Sequence, residues 1–236
     1  MTTDSYPSPL PGEDKDWSFP PGSTGETTWV HMVRHGLVDN PSGRLYGRQK
    51  GFRLAPEGEQ HAKDAAEFLK DRDITAVYSS PLMRAQQTAY PIAHTHGLEI
   101  ITNPALIEAG SVLENELLTP LNIVTTPRIL KHTYNIKKPS WGEHYWKMVE
   151  RSLAALHRAV QENRGHEAVC VTHECVVWIT RLFVEERSFA HNPGNRQVAL
   201  GSVTSFKFDG DVIVGFKYRE PGRPGSPQVD FTVDFE

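Results

Sequence analysis

The sequence predicts an α/β fold on two observations. From Thr27 onward, short apolar runs alternate with segments whose apolar residues recur at helical spacing, and two of those runs end on a histidine, His35 and His173. The 236 residues, 38% of them hydrophobic and 23% charged, fit one globular domain able to bury a proper core.

The elements follow in order. Residues 1–26 carry Pro, Ser, Gly, Asp and Glu without an apolar core segment, which predicts a disordered leader, not a signal peptide or membrane anchor. Trp29 to Val33 reads as a strand, and Arg34-His35-Gly36 follows at its carboxyl end, where open α/β sheets bind ligands. Gly36 is read there as the residue that lets backbone N–H groups approach a bound anion. A polar loop with several glycines leads to Leu54. Pro56 then suits a first helical turn, with Ala62, Ala65, Ala66 and Leu69 along one face. Ala76, Val77 and Tyr78 form a buried strand, and Ser80 with Pro81 read as the N-cap and first residue of a helix striped by Leu82, Ala85, Ala89 and Ile92.

A third helix is marked by Trp146, Val149, Leu153, Leu156 and Val160. Ala168 to Thr172 is a central strand of continuous apolar type ending at His173, and Val176, Val177, Ile179, Thr180 and Phe183 continue as a helix. Val198 to Phe208 and Val212 to Tyr218, parted by Asp209-Gly210-Asp211, read as a closing hairpin. The catalytic domain is thus expected over 27–220 and an extended tail over 221–236. Between Ala109 and Gly142 the pattern breaks: Pro120, Pro127 and Pro139 interrupt helical fragments, and Arg128, Lys131, His132, Lys137 and Lys138 cluster. Two readings stand side by side here, a cap over the site whose cations hold a second anionic group, and a solvated surface loop.

A net charge of -4 gives no broad cationic field for nucleic acid or anionic lipid, so phosphate binding must be local and the ligand small. Cys170 and Cys175 are too few for a disulfide framework and read as reduced thiols of a cytoplasmic protein. His173, Glu174 and Cys175 lack both an HExxH pattern and a second Cys/His pair, so no zinc site is expected.

Two imidazoles, His35 and His173, and two guanidiniums, Arg34 and Arg84, converge if both strand ends face one crevice. That set suits a phosphate dianion, because each guanidinium is a planar, permanently charged fork of donors. Over roughly Val30 to Phe208 the chain resembles the histidine phosphatase superfamily, the phosphoglycerate mutase-like group. Arg34-His35-Gly36 matches its signature, Asn40 with Arg44 its Asn-x-x-x-Arg element, and Ser79-Ser80-Pro81-Leu82-x-Arg84-Ala85-x-Gln87-Thr88-Ala89 its second arginine block. Leu106-Ile107-Glu108 and Val171-Thr172-His173 resemble the segments bearing the acid and the second histidine.

The resemblance implies a three-layer fold, a mostly parallel central sheet flanked by helices. It implies a metal-independent phosphatase, without cofactor, acting on a small phosphorylated metabolite through a phosphohistidine on His35. Arg34, Arg84 and His173 would hold the equatorial oxygens, with Arg44 and Asn40 as further phosphate ligands from the loop. Glu108 would protonate the leaving oxygen and then activate water, with Glu114 and Glu116 in reserve. No nucleic acid or membrane partner is implied, and a homodimer is admissible. A phosphoglycerate mutase and a non-catalytic phospholigand binder are the other readings. Leu37 and Val38 replace the usual Glu/Gln and Thr/Ser, and the loop to Asn40 is one residue shorter. Glu174 with Cys175 stands where a glycine is usual, which places a carboxylate beside the anion pocket.

Overall fold

Strand β1 (Thr27–Arg34) sends Val30 and Met32 into one apolar core and Val33 into another, because successive side chains in a strand point to opposite faces. The same division recurs in β4 (Glu167–Thr172), where Ala168 and Cys170 face the first core and Val169 and Val171 the second. Continuous apolar sequence in these strands therefore means burial on both faces, and helices cover both. The computed structural model describes residues 26–133 and 142–233, and the expected leader lies outside them apart from Glu26.

The second core is closed by α1 (Pro56–Leu69) and α2 (Met83–His96), through Ala65, Leu69, Ala85, Ala89 and Ile92. The first is closed by α5 (Tyr145–Glu162) and α6 (Glu174–Val184), through Val149, Leu153, Leu156, Val177 and Ile179. These are the helical stripes expected from spacing. Gly97 ends α2 at φ +66°, where its N–H reaches the carbonyls of Ala93 and His94.

With β2 at Ile74–Ser79, β3 at Ile100–Thr102, β5 at Val203–Asp209, β6 at Val212–Arg219 and β7 at Val229–Thr232, the described residues form one seven-stranded sheet between the layers, in the order β3-β2-β4-β1-β5-β6-β7. Strands β3, β2, β4 and β1 pair in parallel, whereas β5, β6 and β7 add antiparallel. The fold is the expected single α/β domain, with a sheet parallel in one half and antiparallel in the other.

Two local expectations change, and one short strand goes unread in the sequence. Helix α2 starts at Met83 with Leu82 as N-cap, because Ser80 still belongs to the sheet edge: its N–H donates to the Val171 carbonyl at 2.9 Å. The segment after Pro221 is more than a tail, since β7 pairs with β6 and stacks Phe231 on Phe216 at 5.3 Å between ring centroids. Strand β3 has only three residues and left no periodic trace to read. In the insertion, Pro120 and Pro127 open two short helices, α3 (Pro120–Thr125) and α4 (Pro127–Thr133). Lys137, Lys138 and Pro139 lie outside the described residues.

Candidate active site

Sheet register builds the site. Arg34 pairs with Thr172 and Ser79 with Val171, so the next residues, His35, His173 and Ser80, come off three adjacent strands at one carboxyl edge. Their backbones stay tied to it, His35 N–H donating to the Thr172 carbonyl at 3.0 Å. The two imidazoles meet at 5.1 Å between ring centroids in an edge-on arrangement. Two histidines 138 positions apart in the chain are neighbours because β1 and β4 are neighbours.

Chemistry fixes the tautomer of His35. Its Nδ1 lies 2.7 Å from the Gly36 carbonyl, which only accepts, so the ring proton is on Nδ1. Its Nε2 receives a hydrogen bond from Arg84 Nε at 3.2 Å, so Nε2 carries the lone pair. Burial, then the Arg84 charge, hold the His35 pKa well below the ordinary 6.5 and keep the ring neutral. An imidazole so held has the chemistry of a nucleophile.

Gly36 has a different purpose from the one read in the sequence. Its N–H donates to Thr88 Oγ1 at 3.1 Å, not into an anion site. A Cβ on Gly36 would lie 2.2 Å from the Gly58 carbonyl oxygen, and one on Gly58 would lie 2.0 Å from that of Leu37. The two glycines let α1 press directly against the loop that carries His35.

Arg84, in the first turn of α2, is fully buried. It donates to Gly47 O at 2.6 Å and stacks its guanidinium over Tyr46 at 4.7 Å. Arg34 donates from Nη1 to the Val198 carbonyl and pairs through Nη2 with Glu174, both at 2.5 Å. Among the described residues its Nε is buried with no partner, and so is Nδ1 of His173, whose Nε2 lies 2.8 Å from Ser80 Oγ. The Ser80 hydroxyl can donate to Nε2, and the tautomer that accepts this hydrogen bond carries the imidazole proton on Nδ1. Burial first, then His35 and Arg84, hold the His173 pKa well below 6.5. Two buried, unpartnered donors cost on the order of 1–3 kcal/mol each, so an oxyanion accepting from both relieves the fold.

Glu108 lines the same cavity, of about 640 Å3, as Arg34 and His35. Burial raises its carboxyl pKa above 4.5, against the opposing effects of the Ala109 N–H at 2.8 Å and of Arg84. Its segment is braced by residues that gave no recognisable signal in sequence. Arg48 donates to the Glu108 carbonyl at 2.7 Å, Arg151 to that of Ala105 at 2.6 Å, and both pair with Glu143, at 2.9 and 2.8 Å.

Asn40 and Arg44 line the cavity but serve its loop. Arg44 is exposed and donates to Asn115 O at 2.8 Å, and Asn40 Nδ2 donates to the Arg44 carbonyl at 2.9 Å. The reserve acids are engaged elsewhere, Glu114 by the Arg48 backbone N–H at 2.8 Å and Glu116 by Arg128 at 3.6 Å. From the insertion, Leu113 and Leu118 reach the cavity wall, while Arg128 donates to the Val112 carbonyl within its own segment. Cys170 and Cys175 are both free thiols. Among the described residues no His/Cys/Asp/Glu group is arranged to hold a metal, and no helix is long and apolar enough to cross a membrane.

A histidine pair beside a buried Arg84 and a partly buried Arg34, at the carboxyl edge of an α/β sheet, makes a site with the chemistry to hold an oxyanion such as a phosphoryl group. The histidine phosphatase superfamily (branch 1) model matches residues 30–218, and the chain belongs to that superfamily. It is 44% identical over 197 residues to Uncharacterized protein Rv0525 of Mycobacterium tuberculosis (strain ATCC 25618 / H37Rv), covering 83% of this chain and 98% of that one. It is 34% identical over 149 residues to Probable phosphoglycerate mutase GpmB of Yersinia enterocolitica, covering 61% and 68%. Among solved structures, Bacillus stearothermophilus YhfR superposes with a TM-score of 0.69 at 23% identity, over 79% of this chain and 94% of that one. The mycobacterial glucosyl-3-phosphoglycerate phosphatase Rv2419c does so with 0.66 at 22% identity, over 82% and 96%. These structural likenesses show the fold.

Proposed function

We propose that the protein is a cytoplasmic phosphomonoester hydrolase that acts on a small phosphorylated metabolite through a phosphohistidine on His35. The observation that carries this reading is the neutral Nε2 of His35, held beside two buried nitrogens, Arg34 Nε and His173 Nδ1, that have no partner among the described residues. In the first half-reaction His35 Nε2 attacks phosphorus as the ester P–O bond breaks, and the Glu108 carboxyl gives its proton to the leaving oxygen. Arg84 transfers its N–H from Nε2 to a phosphoryl oxygen, which frees the lone pair. In the second half-reaction Glu108 takes a proton from water, water oxygen bonds phosphorus, and the N–P bond breaks to release phosphate.

Arg34, Arg84 and the His173 N–H stabilise the charge that spreads over the equatorial oxygens. Guanidinium groups supply this stabilisation, so the reaction requires no metal. Asn40 and Arg44 shape the mouth of the site. Hydrolysis is favoured over mutase transfer because the cavity is open to water and the walls beyond the phosphate end are largely apolar. His35→Ala is expected to remove turnover of phenyl phosphate while the protein stays folded. Turnover at the parent rate would overturn the reading.

A further inference from the structure

Glu174 opens α6 directly after His173, and its carboxylate bridges two arginines that line the cavity. Arg34 Nη2 meets Oε2 at 2.5 Å, and Arg196 Nη1 meets Oε1 at 3.3 Å. Arg196 is itself aimed by His191, its Nε donating to the ring Nε2 at 2.9 Å. One carboxylate thus engages both of these guanidiniums and offsets one of their two charges. Farther along, Arg48 and Arg151 both end on Glu143, whereas Arg44, exposed at the mouth, gives one N–H to a backbone carbonyl and keeps its charge. The remaining wall is formed by Leu45, Leu113, Leu118, Tyr145 and Met148. Among the described residues, a second anionic group on a substrate would therefore meet, inside that mouth, carboxylates, committed arginines and apolar side chains. Desolvating a charge without a partner is costly, whereas an apolar moiety gains from the same wall. The cavity is large enough for a phosphate and a ring-sized leaving group.

We propose that Glu174 determines specificity: by occupying Arg34 and Arg196 it admits phosphomonoesters of uncharged, apolar alcohols and rejects esters carrying a second carboxylate or phosphate. This rests on the hydrolase reading of the same site and deepens it. The test compares kcat/KM for benzyl phosphate, 3-phosphoglycerate and the methyl ester of 3-phosphoglycerate, the last two sharing a leaving oxygen and differing by one negative charge. The wild-type protein should favour the methyl ester over the acid by at least about tenfold, through KM, with benzyl phosphate better still. Glu174→Gln should shrink that preference by lowering KM for 3-phosphoglycerate, because Arg34 and Arg196 are released, and adding Arg196→Gln should reverse the gain. Equal or better use of 3-phosphoglycerate by the wild-type protein overturns the proposal, and so does a preference unmoved by Glu174→Gln. The wild-type comparison stands even if the variants fail to fold. If none of the three esters labels His35 with phosphate, the hydrolase reading itself fails, and this proposal with it.

Discussion

His35 and Glu108 are pushed toward each other's working range. Burial lowers the imidazole from 6.5 and raises the carboxyl from 4.5, and both shifts favour coexistence of the neutral base with the protonated acid. For an alkyl phosphate, kcat/KM should decline on the alkaline side as Glu108 ionises and on the acid side as His35 takes up a proton. Glu108→Gln should slow alkyl esters by about 100-fold or more and activated aryl esters much less, since good leaving groups need no proton. Equal slowing across leaving groups, in a steady-state series, would exclude Glu108 as the acid. At this scale the sequence was legible wherever a side chain sits in a compact motif: Arg34, His35, Arg84 and His173 all arrive at one site. Glu174 was legible as a carboxylate near it, but not as the partner of two arginines. Arg48, Glu143, Arg151 and Arg196 were illegible, because surface-type charged residues acquire a role only when distant segments fold together.

The elements that carry these side chains are set by contacts as specific as the side chains themselves. Helix α1 touches the His35 loop through Gly36 and Gly58, where any Cβ collides with backbone. Gly58→Ala should cost about 1–3 kcal/mol of stability by denaturant titration and lower kcat by displacing the loop. Unchanged stability and rate would mean that α1 does not constrain the loop. Arg151→Met should leave phosphate affinity intact but reduce kcat for alkyl esters, because it releases the segment that aims Glu108; a fall in phosphate affinity alone would contradict that role. Long helices and buried strands were legible through periodicity. The start of α2 was not, because Ser80-Pro81 satisfies N-cap preferences while the sheet and His173 claim Ser80. Strand β7 was hidden by the Pro/Gly-rich segment before it, and only its pairing with β6 reveals it.

For the whole molecule, site construction and stability share the same buried rings. His31, which hydrogen-bonds Ser205 and Glu167 at 2.7 Å, His35 and His173 all have pKa values lowered chiefly by burial. Unfolded histidines take up protons near pH 6.5 and these folded ones do not. Stability is therefore complete above that pH and falls as pH drops through it, by up to about 1.4 kcal/mol per pH unit for each ring. Urea titrations between pH 7.5 and 5 should show the midpoint falling, and a midpoint independent of pH would contradict neutral burial. The central claim is the covalent one. Rapid mixing of the protein with phosphorus-labelled phenyl phosphate, followed by an alkaline quench and peptide mapping, tests it most directly: the account predicts acid-labile phosphate on His35 alone, absent from His35→Ala. Turnover without any protein-bound phosphate, or label on another residue, would contradict it.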